Sequence, residues 1–274
     1  MSDVAANTSS PSPGTVTKPF HASTLGQALT KTLVTSKERQ LYKKLPEPSS
    51  AYPIDFASSD YLSFTHVPEL RAQFLHKLSI SPSVFGSGGS RTVINGGSHA
   101  MLENRLKAFF GYEAAVLCNS GYDANLAFFE VVPQKGDIIV FDEKVHASIH
   151  DGMKVSKVSK DDMISFKHNN MVEMKKALKA ARDKSSTASI FVAVESLYSM
   201  DGTMAPLGEI CDLADEVNGH VYVDEAHSMG VYGPRGRGLV AQHGVENRVL
   251  ATLATFSKAI NCSGGKHSFP LAKG

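Results

Sequence analysis

Five short, almost continuously apolar segments recur along the chain, and they constrain the fold more than any other feature of the sequence. They lie at Ala114–Cys118, Asp137–Phe141, Ser189–Val194, His220–Val223 and Val249–Thr255. Continuous apolar runs of this length are typical of strands buried on both faces of a parallel sheet. Stretches with helical spacing separate them, so the sequence predicts an α/β fold with a mainly parallel sheet flanked by helices.

The stretches between the predicted strands contain residues that typically begin or end a helix. One helix is expected to begin after Asn170, which stands three residues before Glu173 in the spacing of a capping box. Another is expected to begin at Pro206 and to close at Gly219, and a third to end at Gly111. Because ligands of such sheets bind at the carboxyl ends of the strands, we expect the functional residues there.

The N-terminal part of the chain has a different character. Residues 1–18 are rich in Ser, Thr, Pro and Gly and carry few large apolar side chains, which predicts a disordered tail. They show neither the apolar core of a secretory signal nor the arginines of a mitochondrial presequence. Leu25–Leu45 has leucines at helical spacing and is followed by Pro46 and Pro48, so residues 19–52 are predicted to form a helical arm.

Composition argues against several classes of function. The 274 residues carry a formal net charge of +1, whereas nucleic-acid-binding proteins need clustered Lys and Arg. No segment approaches the roughly 20 apolar residues of a membrane span. Three cysteines predict no disulfide framework, and no Cys/His spacing predicts a metal site. We therefore expect a globular protein of a reducing compartment, with no nucleic-acid or membrane partner and no metal.

A carboxylate and an imidazole follow the fourth predicted strand. His220–Val223 runs directly into Asp224, and His227 comes three residues later. A carboxylate after a buried strand needs a partner, and a protonated heterocyclic nitrogen would provide one. His227 would then be placed to contact a ring oxygen. A helix cap or a solvated loop is the alternative for Asp224.

A hydroxyl and an amine follow the fifth predicted strand. Thr255 ends that strand and Lys258 comes three residues later. Lys258 is either a surface lysine or a desolvated, nucleophilic amine of the kind that forms Schiff bases. The hydroxyl of Thr255 could contact a phosphate. Together, the residues at the strand ends therefore predict a site for an aromatic aldehyde that carries a phosphate.

Three further segments bear on this site. The turn Asn119–Tyr122 leads from a strand into a helix, so its backbone N–H groups suit a phosphate, although such turns are common. His146 follows the second strand and is either structural or stacked on a cofactor ring. The glycine-rich stretch Phe85–Arg91 follows no buried strand and leads into no clear helix. It therefore predicts a flexible substrate loop rather than a dinucleotide site.

Seven segments resemble, in the same order, the α-oxoamine synthases, which are pyridoxal-phosphate enzymes of the aspartate aminotransferase fold type. The segments are DYLSF (Asp60–Phe64), GSGGSR (Gly86–Arg91), NSGYDAN (Asn119–Asn125), HASIHDG (His146–Gly152), ESLYSMDGTMAPL (Glu195–Leu207), VDEAHSMGVYGPRGRG (Val223–Gly238) and TFSKA (Thr255–Ala259). The resemblance covers about residue 25 to Gly265. Several motifs in one order are far more specific than any one of them.

The resemblance implies a role for each matching residue. Lys258 would carry the pyridoxal phosphate, Asp224 would pair with its protonated ring nitrogen, and His227 would reach its ring oxygen. These three are the expected catalytic residues, with Lys258 as acid and base. The other expected cofactor contacts are Ser120, Gly121, Tyr122, His146, Glu195, Ser199 and Thr255. His99 and Ser59 are expected near the substrate.

The resemblance also implies the reaction and the partners. An amino acid would be condensed with an acyl-CoA thioester, with loss of CoA and carbon dioxide. L-Alanine and pimeloyl-CoA are the first expectation, and glycine or the substrates of other α-oxoamine synthases are the alternatives. A homodimer is implied as well. We expect a cytoplasmic protein, with the peroxisome and the mitochondrion as alternatives.

Two departures from the family pattern affect these expectations. Ser59 stands where the family motif S-N-D-Y-L-G has Asn, so one substrate contact differs. The resemblance stops near Gly265. The chain after the N-terminal arm therefore divides into a cofactor-binding large domain (53–265) and a divergent tail (266–274). The family's small C-terminal domain, with its arginine for the substrate carboxylate, is missing. We therefore expect a C-terminally truncated chain, and an inactive cofactor-binding fragment is the alternative of another class.

Overall fold

The computed structural model of the chain describes residues 23–45, 54–82, 84–86, 88–94 and 96–269. Two compact units make up the chain, Met1–Phe56 and Ala57–Gly274. The first unit contains helix α1 (Thr24–Glu38), whose N-terminus is capped by the side chain of Ser23. This helix ends well before the predicted Leu45. The tail predicted at 1–18 and the two prolines after residue 45 lie outside the described residues.

Seven α-helices and seven strands follow within the described part of the second unit. The helices are α2 (Pro68–Ser79), α3 (Gly97–Phe110), α4 (Gly121–Val131), α5 (Ala147–Val155), α6 (Met171–Lys184), α7 (Leu207–Glu216) and α8 (Leu239–His243). The strands are β1 (Ala114–Cys118), β2 (Ile138–Asp142), β3 (Met163–Phe166), β4 (Ile190–Glu195), β5 (His220–Asp224), β6 (Val249–Thr255) and β7 (Gly265–Phe269). They form one sheet in the order β1-β7-β6-β5-β4-β2-β3.

The sheet is mainly parallel and is covered on both faces. All neighbouring strands run parallel except β7, which is antiparallel to β1 and to β6. Successive residues of β4 alternate between two cores: Val192 packs with residues of α6 and α7, while Phe191 packs with residues of α4 and α5. Burial on both faces is the reason why the central strands β2, β4, β5 and β6 read as continuous apolar runs. The predicted fold class is confirmed.

Each of the five predicted strands is present, shifted by at most one residue at either end, and two strands were not predicted. The short β3 begins directly after the charged residues Lys160–Asp162, which hide its pattern. Strand β7 contains Lys266, a residue that is almost never buried without a partner. Here its ammonium group lies 2.7 Å from Ser268 Oγ and 3.5 Å from the centre of the Phe110 ring. The expectation that residues from 266 onwards form only a tail is therefore wrong for Lys266–Phe269.

Two of the predicted helix ends differ in detail from the structure. The Asn170 side chain accepts the N–H of Glu173 at 3.0 Å, as predicted, but the Glu173 carboxylate accepts the N–H of Lys167 and does not close a capping box. Helix α7 ends at Glu216, and Asn218 rather than Gly219 takes the left-handed conformation after it (φ 51°).

The parallel strands bring their carboxyl ends to one edge of the sheet, and the N-termini of α4 and α5 follow β1 and β2. Polar residues that follow different strands thus meet at that edge. Across the described residues, none of the helices is both long and apolar enough to pass through a bilayer.

Candidate active site

A cavity of about 200 Å³ lies at the carboxyl ends of the central strands. Nine of the residues predicted to contact the cofactor line it: Ser120, Gly121, Tyr122, His146, Glu195, Asp224, His227, Thr255 and Lys258. They come from the start of α4 and from the segments at the ends of β2, β4, β5 and β6. The order of the strands therefore assembles residues that are up to 138 positions apart in the chain.

The start of α4 forms one wall of the cavity. Ser120 Oγ accepts the N–H of Asp123 at 3.0 Å and so caps the helix. The first N–H groups of an α-helix have no partner within the helix, and together with the helix dipole they favour an anion. A Cβ on Gly121 would lie only 3.0 Å from the Cβ of Thr255, so a glycine is needed for α4 to approach β6 this closely.

Asp224 lines the cavity at the end of β5 and is 3% exposed. One of its oxygens accepts the Asn125 amide Nδ2 at 2.8 Å, and the other accepts the N–H of Ala226 at 2.8 Å. Tyr222 donates its hydroxyl to Asn125 Oδ1 at 2.6 Å. Two neutral donors thus hold the carboxylate, and a cationic group in the cavity would be its natural counter-charge.

Sequence reasoning missed Asn125 and Ser148 as members of the site. Asn125 Nδ2 also donates to Ser148 Oγ at 2.9 Å, and both side chains line the cavity. Asn125 stands four residues after Gly121, which is one turn along the helix and hence on the same face. That spacing, together with its place in the segment NSGYDAN, is the signal that would have found it.

Lys258 brings an amine into the cavity. Burial lowers the pKa of this amine, and the nearby carboxyl groups of Asp224 and, when ionised, Glu195 oppose that effect. Its ammonium makes no hydrogen bond or ion pair with any residue that the structure describes. An amine in this state is more readily neutral than a surface lysine, and a neutral amine is the form that attacks a carbonyl group.

Glu195 ends β4 and is 3% exposed. Burial raises the pKa of its carboxyl group to about 8, with a further contribution from Asp224. Lys258 and the backbone N–H groups of Ser199 and His146 oppose that rise. The Oε1 atom is buried and has no hydrogen-bond partner among the described residues. Glu195 is therefore a protonated acid at neutral pH, with one oxygen left for a ligand.

Two histidines complete the cavity. Burial lowers the pKa of His227 to about 4, and Lys258 adds to the effect, so the imidazole is neutral above that pH. His227 Nδ1 lies 2.8 Å from the hydroxyl of Tyr61, a residue of the DYLSF segment. His146 Nδ1 lies 2.7 Å from Ser148 Oγ, which fixes the direction of the ring.

Three predicted site residues lie elsewhere. Ser199 lines an adjoining cavity, which shares His227 with the first one. His99 lines a separate cavity formed mainly by the glycine-rich stretch, where Arg91 makes two 2.9 Å hydrogen bonds to Glu103. Ser59 lines none of these cavities. The structure therefore does not bring these three residues together with Lys258.

The donor set of the cavity fits pyridoxal phosphate. The helix start and Thr255 suit a phosphate, Asp224 suits a protonated ring nitrogen, and Lys258 supplies an amine with a lowered pKa. The unpartnered Glu195 Oε1 and the glycine at 121 leave a polar atom and space for a ligand. Among the described residues, no group of three or more His, Cys, Asp or Glu side chains is arranged to hold a metal ion.

Comparisons with known proteins agree with this chemistry. The sequence model of a family described as aminotransferase class I and II matches residues 52–267. The 8-amino-7-oxononanoate synthase of Emericella nidulans is 42% identical over 229 residues, which are 79% of this chain and 55% of that protein. The chain spans about half the length of the curated relatives it matches.

Solved structures that resemble this chain in sequence and fold include serine palmitoyltransferases. The serine palmitoyltransferase of Sphingomonas wittichii is 33% identical with a TM-score of 0.71, over 79% of this chain and 52% of that one. A serine palmitoyltransferase of S. paucimobilis, 31% identical with a TM-score of 0.71 over the same shares of the two chains, has pyridoxal phosphate bound with myriocin.

Proposed function

We propose that this chain, which belongs to the aminotransferase class I and II family, is an α-oxoamine synthase that condenses an amino acid with an acyl-CoA and releases CoA and carbon dioxide. Pyridoxal phosphate is the cofactor. One observation carries the proposal. The Lys258 amine, with a lowered pKa and no partner among the described residues, shares a cavity with the buried Asp224 carboxylate and the start of α4.

Different residues of the cavity would hold different parts of the cofactor. When bound, pyridoxal phosphate supplies a conjugated ring that stabilises negative charge on the carbon beside the substrate nitrogen. The first N–H groups of α4 and the Thr255 hydroxyl would bind the phosphate. Asp224, fixed by Asn125 and Ala226, would keep the ring nitrogen protonated. His146 would stack on the ring, and His227 would hydrogen-bond its oxygen.

Two ionisable groups would handle protons. Burial lowers the pKa of Lys258, so a larger fraction of this amine is neutral near pH 7 and can take a proton from the substrate carbon and return it. Glu195, with a pKa of about 8, carries its own proton at that pH. It can therefore donate a hydrogen bond into the cavity without placing a second negative charge beside Asp224.

For the substrates we propose L-alanine and pimeloyl-CoA, the pair used by an 8-amino-7-oxononanoate synthase in biotin synthesis. The Emericella relative supports this pair by its name and its 42% identity. Glycine, as in glycine C-acetyltransferase, or serine, as the name of the structural relatives suggests, are the alternatives. We further propose a homodimer located in the cytoplasm, with the peroxisome and the mitochondrion as alternatives.

A second candidate function is a cofactor-binding protein without turnover. Its support is the cavity itself, whose lining consists largely of residues that are expected to contact the cofactor. It shares the cofactor cavity with the first candidate and differs only in the absence of CoA release.

The first experiment tests the lysine. Purified protein incubated with pyridoxal phosphate and then reduced with borohydride is expected to gain the mass of one cofactor. The Lys258→Ala variant should lose that gain, whereas Lys176→Ala, which changes an exposed lysine of α6, should keep it. A wild-type chain that gains no mass, or an alanine variant at 258 that still gains it, would contradict the proposal.

The second experiment tests the reaction. CoA release is measured with alanine, glycine and serine, each against acyl-CoA thioesters of different chain length. Release with alanine and pimeloyl-CoA supports the proposed pair, and release with another pair selects an alternative. Covalent cofactor uptake without any CoA release favours the non-catalytic protein.

A further inference from the structure

The turn between β4 and α7, residues 197–204, lies beside the cofactor cavity. The proposed function gives this turn no role. Its two arms pair at Leu197 and Met204, and the N–H of Tyr198 donates to the Thr203 carbonyl at 2.9 Å. Ser199, which follows Tyr198, lines the cavity adjoining that of Lys258. The placement of this turn therefore decides where Ser199 lies relative to the cofactor cavity.

His168 connects this turn to the rest of the molecule. Its Nδ1 lies 3.0 and 3.1 Å from the two carboxylate oxygens of Asp142, and its Nε2 lies 2.7 Å from Thr203 Oγ1. Because a carboxylate only accepts, Nδ1 donates to Asp142, and Nε2 is left for the Thr203 hydroxyl. The ring also packs edge-on against Tyr198, with centroids 4.4 Å apart.

The partner of His168 is itself firmly held. Asp142 ends β2, is 1% exposed, and accepts the backbone N–H groups of Lys144 at 2.9 Å and Asn169 at 2.8 Å. The same two residues also reach the turn with their side chains. Lys144 Nζ donates to Asp201 Oδ2 at 2.6 Å, and Asn169 Nδ2 donates to the Met204 carbonyl at 3.1 Å.

Two other roles for this cluster are less consistent with the contacts. An Asp–His–hydroxyl order also occurs in hydrolases, but Thr203 Oγ1 lies 2.7 Å from Asp201 Oδ1 as well as 2.7 Å from His168 Nε2. The single hydrogen of this hydroxyl therefore has two competing acceptors, whereas a nucleophile needs its hydrogen on the base. A metal site is not favoured either, because no suitable ligand cluster occurs among the described residues.

We propose that His168, oriented by Asp142, is a positioning residue that fixes the 197–204 turn and, through it, the position of Ser199 and of the end of β4 at Glu195, beside the cofactor cavity. Glu195 ends β4 two residues before the turn and lines the cofactor cavity, and Ser199 of the turn lines the cavity that adjoins it. A shift of the turn would therefore move residues that lie next to the cofactor cavity. The link to the cofactor rests on the proposed function, whereas the fixing of the turn does not.

The first arm of the test measures amide hydrogen exchange in the chain without cofactor. Thr203→Val removes the hydroxyl that contacts both His168 and Asp201. We expect amides of residues 197–204 to exchange about fivefold faster, the effect of one lost hydrogen bond of roughly 1 kcal/mol. Thr203→Ser keeps the hydroxyl and should restore exchange to within about twofold of wild type. Thr187→Val, which changes an exposed threonine at the opposite end of β4, should leave the turn unchanged.

A second variant tests the imidazole itself. His168→Phe keeps a ring against Tyr198 and removes both hydrogen bonds, so we expect a larger acceleration confined to the same segment. Unchanged exchange in Thr203→Val, no rescue by Thr203→Ser, or acceleration that extends equally to β5 would each overturn the proposal.

The third arm measures the dissociation constant and the absorbance maximum of bound pyridoxal phosphate. We expect Thr203→Val to weaken binding at least about threefold and to shift the maximum, and Thr203→Ser to restore both. Wild-type affinity and spectrum in Thr203→Val would overturn the link to the cofactor. A wild-type chain that binds no cofactor would refute the proposed function instead, and the exchange arm would still decide whether His168 holds the turn.

Discussion

Asn125 holds three groups of the site with one amide. Its Nδ2 donates to Asp224 and to Ser148, and its Oδ1 accepts the hydroxyl of Tyr222. All of these side chains are buried. Removing the amide would leave a buried hydroxyl and a carboxylate oxygen without partners, and each unpaired buried group costs about 1–3 kcal/mol.

We therefore expect Asn125→Ala to lower the free energy of unfolding by about 2–4 kcal/mol and to weaken pyridoxal phosphate binding roughly tenfold, because Asp224 loses a donor. Tyr222→Phe removes one hydroxyl and leaves the Asp224 contact, so we expect a loss of about 1 kcal/mol and unchanged affinity. Denaturant titration and cofactor titration measure the two quantities. Equal affinities in both variants would contradict this role of Asn125.

Glu195 makes the stability of the protein without cofactor depend on pH. Burial raises the pKa of this carboxyl group to about 8, while an unfolded glutamate titrates near 4.3. Between these values the folded state binds more protons than the unfolded state, so the free energy of unfolding falls as the pH rises. His227 has a pKa lowered to about 4 and acts with the opposite sign, but only below about pH 6.5.

Between pH 6.5 and 8, the stability therefore depends on the titration of Glu195 and not on that of His227. We expect the wild type to lose about 1–2 kcal/mol more stability across this window than Glu195→Gln, which cannot lose a proton. Denaturant unfolding at a series of pH values gives the difference, and Glu130→Gln, at an exposed glutamate of α4, is the control. If Glu195→Gln shows the full wild-type slope, this carboxyl group is ionised throughout the window and the proposed proton on it is absent.

At the scale of elements, the contact between β7 and α4 shapes the phosphate end of the cavity. A Cβ on Gly265 would lie 2.7 Å from the backbone nitrogen of Gly121 and from the carbonyl carbon of Ser120. Backbone atoms cannot move aside as a flexible side chain does. The first residue of β7 thus needs to be glycine for the helix start to lie against the sheet.

Gly265→Ala is accordingly expected to lower the free energy of unfolding by about 1–3 kcal/mol and to weaken binding of pyridoxal phosphate and of inorganic phosphate together. Gly208→Ala is the matched control, because nothing lies within 4 Å of its added Cβ and it is within α7. It should stabilise the protein by about 0.5–1 kcal/mol. A Gly265→Ala variant as stable as the wild type would show that β7 and α4 can separate without loss.

The same elements show what the sequence could predict. Strands β1 and β6 were predicted with their observed bounds because they consist of apolar residues and, in β6, two β-branched threonines. The position of Lys258 and Asp224 after predicted strands placed them at one edge of the sheet. Strand β7 was not predicted, because the partners of Lys266 come from β7 itself and from α3, which no local pattern reveals. Asn125 and the His168 cluster depend on contacts between distant segments, so their roles emerge only from the assembled sheet.

At the scale of the whole molecule, α2 is the surface through which we expect the proposed homodimer to form. This helix has no buried residue, although it carries Leu70, Phe74, Leu75 and Leu78. Phe74 is 63% exposed. An isolated helix of 12 residues is marginal in water, because most helical stability in proteins comes from the packing of an apolar face. A second copy of the chain would provide that packing, since exposed apolar clusters mark interaction surfaces.

We therefore expect the protein to sediment as a dimer, and the double variant Phe74→Glu with Leu78→Glu to raise the dimer dissociation constant at least about tenfold, because two charges would be buried without partners. Val172→Glu, at a 67% exposed position of α6, should leave it unchanged. Analytical ultracentrifugation over a range of concentrations measures the constant. A wild-type chain that stays monomeric would contradict the dimer, and an equal effect of all charged substitutions would mean that net charge, and not α2, governs association.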